Sequence, residues 1–394
     1  MQMRDGTVRA AFIALTVAVS SGVATFFTLY SLIPAARAES PEAGSLYVGV
    51  LMTCVIAVQV GTPALVRRFS LRSVVLGSLL VLGVGALVTG TFGTGPLHGA
   101  ELIGLLAGGV VAGAGFGVLI VAGSQGVGLL VPGLGLGQAL GMYGLVTMLA
   151  TALGSPAGVQ LALSTSPAVF GVVAAGLCVL GAVIAARIPR ITGKHLGDGC
   201  STKTAKDLPV ITTSGALRLL ALTLVFLLLA VVFLAHGITS LPAYARGTVE
   251  PALTILLVQI GAAAGRWFGG AAEARLTRVG AITVAAALVI LGASGGMLGT
   301  HSLVLGAAAI VMGAGVGTAQ TVGLHMAMRR IDAGRASVVW NLAVDGGLWL
   351  GGVLAGLALA RGILDVGILA SACLFAVVGA ALAVQEHRRE RPRA

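Results

Sequence analysis

Twelve apolar runs, each close to the ~20 helical residues needed to cross a ~30 Å hydrocarbon core, follow one another along this 394-residue chain. They cover approximately residues 10–33, 45–66, 74–92, 100–121, 139–163, 167–187, 219–241, 250–272, 280–299, 302–326, 337–360 and 363–384. Inside a bilayer every backbone N–H and C=O must find an internal partner, so runs of this length fold as helices. Charged residues make up 9% of the chain, against roughly 25% in a soluble domain, which excludes a soluble fold. The expected fold class is an all-α integral membrane protein with twelve transmembrane helices.

The net charge of +11 is topological. Arg4 and Arg9 precede helix 1, and the even-numbered connections hold Arg67, Arg68 and Arg72, then Arg187, Arg190, Lys194, Lys203, Lys206 and Arg218, then Arg275 and Arg278, then Arg329, Arg330 and Arg335. Arg388, Arg389, Arg391 and Arg393 follow helix 12, whereas the odd-numbered connections hold only Arg37, Arg246 and Arg361. The positive-inside rule then puts both termini and the central loop in the cytoplasm. Nucleic-acid binding needs a basic patch gathered with groove-reading or stacking groups, and none is evident. Arg4, Arg9 and Ala36-Arg37-Ala38 imitate a signal peptide, but the intervening run exceeds the usual h-region, so it is expected to stay as a membrane helix.

The stretch from Ile188 to Leu217 is the one long polar interruption. The expected domains are therefore an N-terminal six-helix bundle over 1–187, a cytoplasmic loop over 188–218 and a C-terminal six-helix bundle over 219–394 with a basic tail. Internal similarity supports the division: Val111-Ala-Gly-Ala-Gly-Phe-Gly117 recurs as Val311-Met-Gly-Ala-Gly-Val-Gly317. With an offset of 197, Tyr143 meets Trp340, Gly154 meets Gly351 and Asp345 meets Met148. Halves with an even number of helices are parallel repeats about an axis along the membrane normal.

Several segments resemble the major facilitator superfamily, over nearly the whole chain. Its loop 2–3 signature, GxLADRxGRR, has a degenerate counterpart in Pro63-Ala-Leu-Val-Arg67-Arg68-Phe69-Ser70-Leu-Arg72, where Arg67 replaces the acid and Ser70 the second glycine. Loop 8–9, Gly269-Gly-Ala-Ala-Glu273-Ala-Arg275-Leu-Thr-Arg278, keeps an acid and two arginines. Helix 5 carries Gly154-Ser155-Pro156-Ala-Gly158, similar to the GxxxGPxxGG of proton-coupled exporters. Helix 11, with Asn341, Asp345 and Gly347, looks like the N-x-x-x-D-x-G segment of bacterial drug, metabolite and sugar-efflux-like branches. The resemblance implies two pseudo-symmetric six-helix bundles in a bacterial cytoplasmic membrane, working by alternating access. It also implies gating roles for Arg67, Arg68, Arg72, Gly154, Pro156, Gly158, Glu273 and Arg275.

Only Arg266 and Asp345 lie well inside the apolar runs, and intramembrane charges usually pair, line a polar cavity or carry ions. Asp345 is the candidate proton-coupling carboxylate, with Arg266 as ion-pair partner; the loop 2–3 arginines compete for it, and Arg266 could instead snorkel to the headgroups. Ser21, Thr25 and Thr28 recur at helical spacing and, with Tyr143, Gln259, Gln320 and Asn341, sketch a substrate cavity; such groups also serve as helix-to-helix hydrogen bonds. The glycine runs lie in or after apolar helices rather than in a strand-turn-helix unit, so nucleotide binding is not expected. Four scattered cysteines and no His/Cys cluster give no metal site, and no cofactor is expected.

The expected function is proton-coupled export of a small organic compound, a drug or secondary metabolite, by a monomeric antiporter. An importer or facilitator with the same fold is the alternative, and a membrane sensor or membrane-embedded enzyme the remote one. An enzyme should show a clustered acid, base or nucleophile at the membrane face, so enzymatic activity is not expected, and without a P-loop GxxxxGK(S/T) neither is ATP-driven transport.

Overall fold

A computed structural model describes residues 6–93, 99–131, 136–190, 214–245, 247–299, 301–328, 330 and 333–390. Its described residues form helices α1 (Gly6–Ala36), α2 (Pro41–Gln59), α3 (Thr62–Phe69), α4 (Leu71–Phe92), α5 (Ala100–Leu130), α6 (Leu136–Ser164) and α7 (Pro167–Ala185). They continue as α8 (Ser214–Ile238), α9 (Ser240–Tyr244), α10 (Pro251–Arg275), α11 (Arg278–Leu298), α12 (Ser302–Met328), α13 (Ala333–Ala360) and α14 (Leu364–Glu390). Twelve of these are long and apolar enough to cross a membrane, as expected.

Several helix ends differ from the expected ones; the fourth span runs to Leu130 rather than 121, and two breaks have a local reason. The second span stops at Gln59 rather than near 66, and Pro63 opens the separate helix α3, where a missing N–H costs nothing. α3 buries Thr62 and Val66 and exposes Arg67 and Arg68, so it is amphipathic rather than membrane-spanning. The seventh span breaks at Thr239, because the ring of Pro242 would meet the carbonyl four residues earlier in a continuous helix. The last helix runs past 384 to Glu390.

The chain divides into two compact units, residues 1–37 with 46–201, and residues 38–45 with 202–394. Most of the expected 188–218 loop lies outside the described residues. In the first unit the closest helix pairs are α4 with α5, α4 with α7 and α1 with α6; in the second they are α10 with α12, α11 with α12 and α8 with α13.

Small residues make these approaches possible. On α5, Gly113 and Gly117 rest against the carbonyls of Leu51 and Val55 on α2, and Gly115 against Leu82 of α4. On α12, Gly313 and Gly317 rest against the carbonyls of Val258 and Ala262 on α10, and Gly315 against Val289 of α11. Glycines two apart lie on nearly opposite sides of a helix and those four apart on one side, so each run lets one helix touch two neighbours. The repeated seven-residue segment thus has the same packing duty in both units.

Aromatic rings fill what the glycines leave. Phe26 and Phe116 stack with centroids 3.6 Å apart, and Phe27 meets Phe26 edge-on at 5.4 Å. In the second unit Phe226 of α8 stacks on Phe375 of α14 at 4.8 Å. Just past α1, Arg37 donates from Nη2 to the Phe92 carbonyl at 3.2 Å, tying the ends of α1 and α4 together. Burial pulls its pKa below the ordinary arginine value, and the Glu101 carboxylate partly opposes that.

Candidate functional site

The close α10–α12 seam sets the position of Arg266. Thr318 Oγ1 donates to the Gly265 carbonyl at 3.2 Å and Thr321 Oγ1 to the Arg266 carbonyl at 3.3 Å, so the seam is hydrogen-bonded on both sides of the arginine. Gln320, on the same stretch of α12, accepts from Arg266 Nε at 2.6 Å. From α13, Trp340 places its ring 5.7 Å from the guanidinium carbon and donates its indole N–H to the Gln320 carbonyl at 3.4 Å. Asp345 follows Trp340 on α13, about one and a half turns along, and is 9% exposed.

Three of the residues singled out in the sequence therefore sit together or on one helix: Arg266 and Gln320 in contact, with Asp345 on the helix that supplies Trp340. Gln320 is 2% exposed, and its Nε2 has no hydrogen-bond partner among the described residues. Gln259 is buried on α10, and Asn341 is half-buried beside Trp340 in the sequence of α13. Trp340 itself was seen in the sequence only as the counterpart of Tyr143; its role as the guanidinium's aromatic cover needed the structure.

The α1 hydroxyls lie in helix contacts. Thr28 Oγ1 donates to its own-helix Ala24 carbonyl at 2.8 Å and to the Gly154 carbonyl of α6 at 3.2 Å. Thr25 lies 3.6 Å from Cys178 Sγ on α7 and donates to the Ser21 carbonyl, while Ser21 faces Gly181 of α7. Tyr143 is buried, its hydroxyl beside Gly123 with no hydrogen-bond partner among the described residues.

The expected gating residues take up several settings. Gly154 and Gly158 pack on Ala24 and Thr28 of α1, with Pro156 inside α6 and Ser155 Oγ donating to the Phe27 carbonyl at 3.1 Å. Arg67 and Arg68 are exposed on α3, with Arg68 over the Phe69 ring at 5.4 Å, and Arg72 is half-buried at the start of α4. Glu273 and Arg275 belong to α10, but their side chains lie outside the described ones.

One charged cluster escaped the sequence reading. Glu386, 1% exposed on α14, accepts from Arg330 in a close ion pair and from Arg278 Nη1 at 3.4 Å. Arg330 also donates to Thr223 Oγ1 of α8 at 3.2 Å and to the Met326 carbonyl at 2.8 Å. A single carboxylate thereby joins α8, α11, α12 and α14. The signal was present: Ile368, Ala372, Phe375, Leu382 and Glu386 form one buried stripe at helical spacing, which continues past the end of the apolar run.

Comparison with known proteins fits this architecture. The profile of the Major Facilitator Superfamily matches residues 11–356. Among curated proteins no sequence matches. A mutant of the nucleoside transporter NupG is similar in structure, with a TM-score of 0.70 and 11% identity over 97% of this chain and 100% of that one. A mutant of the peptide transporter POT in complex with sulfate gives a TM-score of 0.74 and 12% identity, covering 96% and 94%. A bacterial homolog of the human lysosomal transporter Spinster, inward-facing and unoccupied, gives 0.66 and 14% identity, covering 99% and 100%. Identities this low speak for the fold alone.

Proposed function

The chain belongs to the major facilitator superfamily and is a transporter of that fold; on that premise we propose that it exports a small organic compound, a drug or secondary metabolite, by proton-driven alternating access. The observation that carries the reading is the ionisable group at the heart of the second unit. Asp345 is buried on α13, and Arg266 stands between α10, α12 and α13, in helices that are mostly apolar. A charge in such a place costs at least a few kcal/mol unless it is paired or solvated in a cavity, and a carboxylate can also shed its charge by taking a proton.

Asp345 is the coupling carboxylate in this reading. Ionised, it is held by arginine, with Arg266 the candidate partner within its own unit; protonated, it releases that partner or admits substrate. The family fold then supplies the motion, with Arg67, Arg68, Arg72, Glu273 and Arg275 as gating charges and the Gly154–Pro156–Gly158 segment as a flexible contact with α1. Export rather than import is supported by the likeness of that segment, and of Asn341–Asp345–Gly347, to exporter branches. The protein works as a monomer in a bacterial cytoplasmic membrane with both termini inside. Protons and the transported compound are its only small partners, with no nucleotide and no cofactor.

A susceptibility screen on deletion and overexpression strains tests both substrate and direction. An exporter raises tolerance to its compound when overexpressed and lowers the cell-associated amount. Overexpression that sensitises the cells and raises uptake would establish the importer reading instead.

A further inference from the structure

Glu386 fixes an arginine at the outer surface of the second unit. It accepts from Arg330 in a close pair and from Arg278 Nη1 at 3.4 Å, and Arg278 opens α11 where α14 ends. The Arg278 side chain is 34% exposed, so Glu386 holds one end of the fork while the rest faces outward. Arg388, two residues beyond Glu386 on α14, is exposed. Even with Glu390 counted from the sequence, Arg278, Arg330, Arg388 and Arg389 stand against two carboxylates, of which Glu386 is already shared. The corner is left positive.

Both helices that meet there carry exposed apolar stripes leading away from it. On α14, Val377, Val384 and Arg388 recur at i, i+7 and i+11, so the arginine closes a stripe on one face of the helix. On α11, Val284 and Leu291 are exposed seven residues apart. The two helices run antiparallel side by side, with Gly379 of α14 facing Ala286 of α11. Val377 lies nine residues before Glu386 and Leu291 thirteen after Arg278, hence ~14 and ~20 Å along their axes. One leaflet of a ~30 Å hydrocarbon core is ~15 Å deep, so the stripes cover about one leaflet from the charged corner.

Charge and shape together select the partner. A free phosphate would satisfy the arginines and leave the stripes unused, and a zwitterionic lipid would bring its own cation to a corner already positive. An anionic phospholipid satisfies both parts, because the two free oxygens of its phosphodiester suit the planar guanidinium and its chains suit the stripes. We infer that α11 and α14 form a docking surface for an anionic phospholipid, with its phosphate taken by Arg278 and Arg388 and its chains along Val284, Leu291, Val377 and Val384. Glu386 is the positioning residue that orients Arg278. The inference rests on the membrane-spanning fold and not on the direction or coupling of transport.

The test is lipid binding by the purified full chain in detergent, with adducts counted by native mass spectrometry and melting temperature as the second readout. Dioleoyl phosphatidylglycerol is titrated beside dioleoyl phosphatidylcholine and beside glycerophosphoglycerol, the same headgroup without chains. A saturable phosphatidylglycerol adduct that raises the melting temperature is expected, with weaker binding of phosphatidylcholine and none of the bare headgroup. Arg278→Gln and Arg388→Gln should each weaken it by about 5-fold, as for one basic residue lost from a membrane surface, and added salt should weaken it too. Arg361→Gln removes the same charge at the opposite end of α14 and should leave the affinity unchanged. Cooperative melting without lipid shows that each variant is folded, and the exposed Arg388 keeps the test open where Arg278→Gln does not fold.

Four results would overturn the inference. Equal affinity for phosphatidylcholine would leave apolar contact alone, and bare headgroup bound as tightly as the lipid would make this a free-phosphate site. A loss in Arg361→Gln matching that in Arg388→Gln would reduce the effect to net charge, and unchanged affinity in both Arg278→Gln and Arg388→Gln would place the lipid elsewhere. None of these involves a pH gradient or transport, so the docking surface can fail while proton-driven export stands, and the reverse.

Discussion

Ser70, between α3 and α4, has φ 89° and ψ 147°, a combination that costs an L side chain about 1–3 kcal/mol. It is the only positive-φ residue other than glycine among the described residues, and it stands where the family signature has its second glycine. Its hydroxyl caps α4 by accepting from Ser73 N at 3.4 Å, but replacing such a cap by glycine costs only a few tenths of a kcal/mol. Ser70→Gly is therefore expected to stabilise the protein by about 1 kcal/mol, read as a higher melting temperature in detergent. A lower melting temperature would mean that the cap outweighs the strain. Glu386 is the opposite case, a buried carboxylate whose removal strands Arg330, itself nearly buried. Breaking such a pair from one side typically costs about 3–5 kcal/mol, so Glu386→Gln should lower the melting temperature more than any exposed-residue change. Arg389, exposed on the same helix, is the natural control. An unchanged melting temperature in Glu386→Gln would show the cluster to be incidental.

Helices rather than residues explain why the glycine runs repeat. Gly317 lies against the Ala262 carbonyl and the Arg266 N–H, so a methyl group there must push α12 from α10 and move the arginine with it. Overpacking of this sort costs about 1–3 kcal/mol, and Gly317→Ala should lose both stability and transport. Gly176, on the outer face of α7, has open space where its Cβ would stand. There Gly176→Ala should be neutral or stabilising by about 0.5–1 kcal/mol; equal damage at both sites would contradict the seam. This scale was the most legible in the sequence, because span length, periodic small residues and the recurrent seven-residue segment are all local patterns. What was missed came from reading apolar runs as helix limits. Pro242 breaks a run that hydropathy joins, and Glu386 extends a buried stripe beyond the point where charges begin. In both cases backbone sterics or helical phase decided, not hydrophobicity.

At the scale of the whole molecule the two units share a packing plan but not a chemistry. Alternate glycines on α5 and α12 let each touch two neighbours in the same way, whereas Asp345 is matched by Met148 and Trp340 by Tyr143. Any coupling through a carboxylate, as proposed, is then one-sided and rests on a single group. The sequence identified Arg266, Gln320 and Asp345 as the unusual residues, since polar groups in apolar helices are conspicuous. It did not disclose that Gln320 orients the arginine or that Trp340 covers it, because those contacts join helices about 50 or more residues apart along the chain. Nor did it separate Ser21, Thr25 and Thr28, whose hydroxyls engage α6 and α7, from residues lining a path. The most direct measurement of the central claim is transport in inside-out vesicles with the compound found by the susceptibility screen. With an acidic lumen, the wild-type chain should accumulate the compound, and Asp345→Asn should abolish that accumulation while keeping downhill exchange. Full proton-driven accumulation by Asp345→Asn would contradict the account.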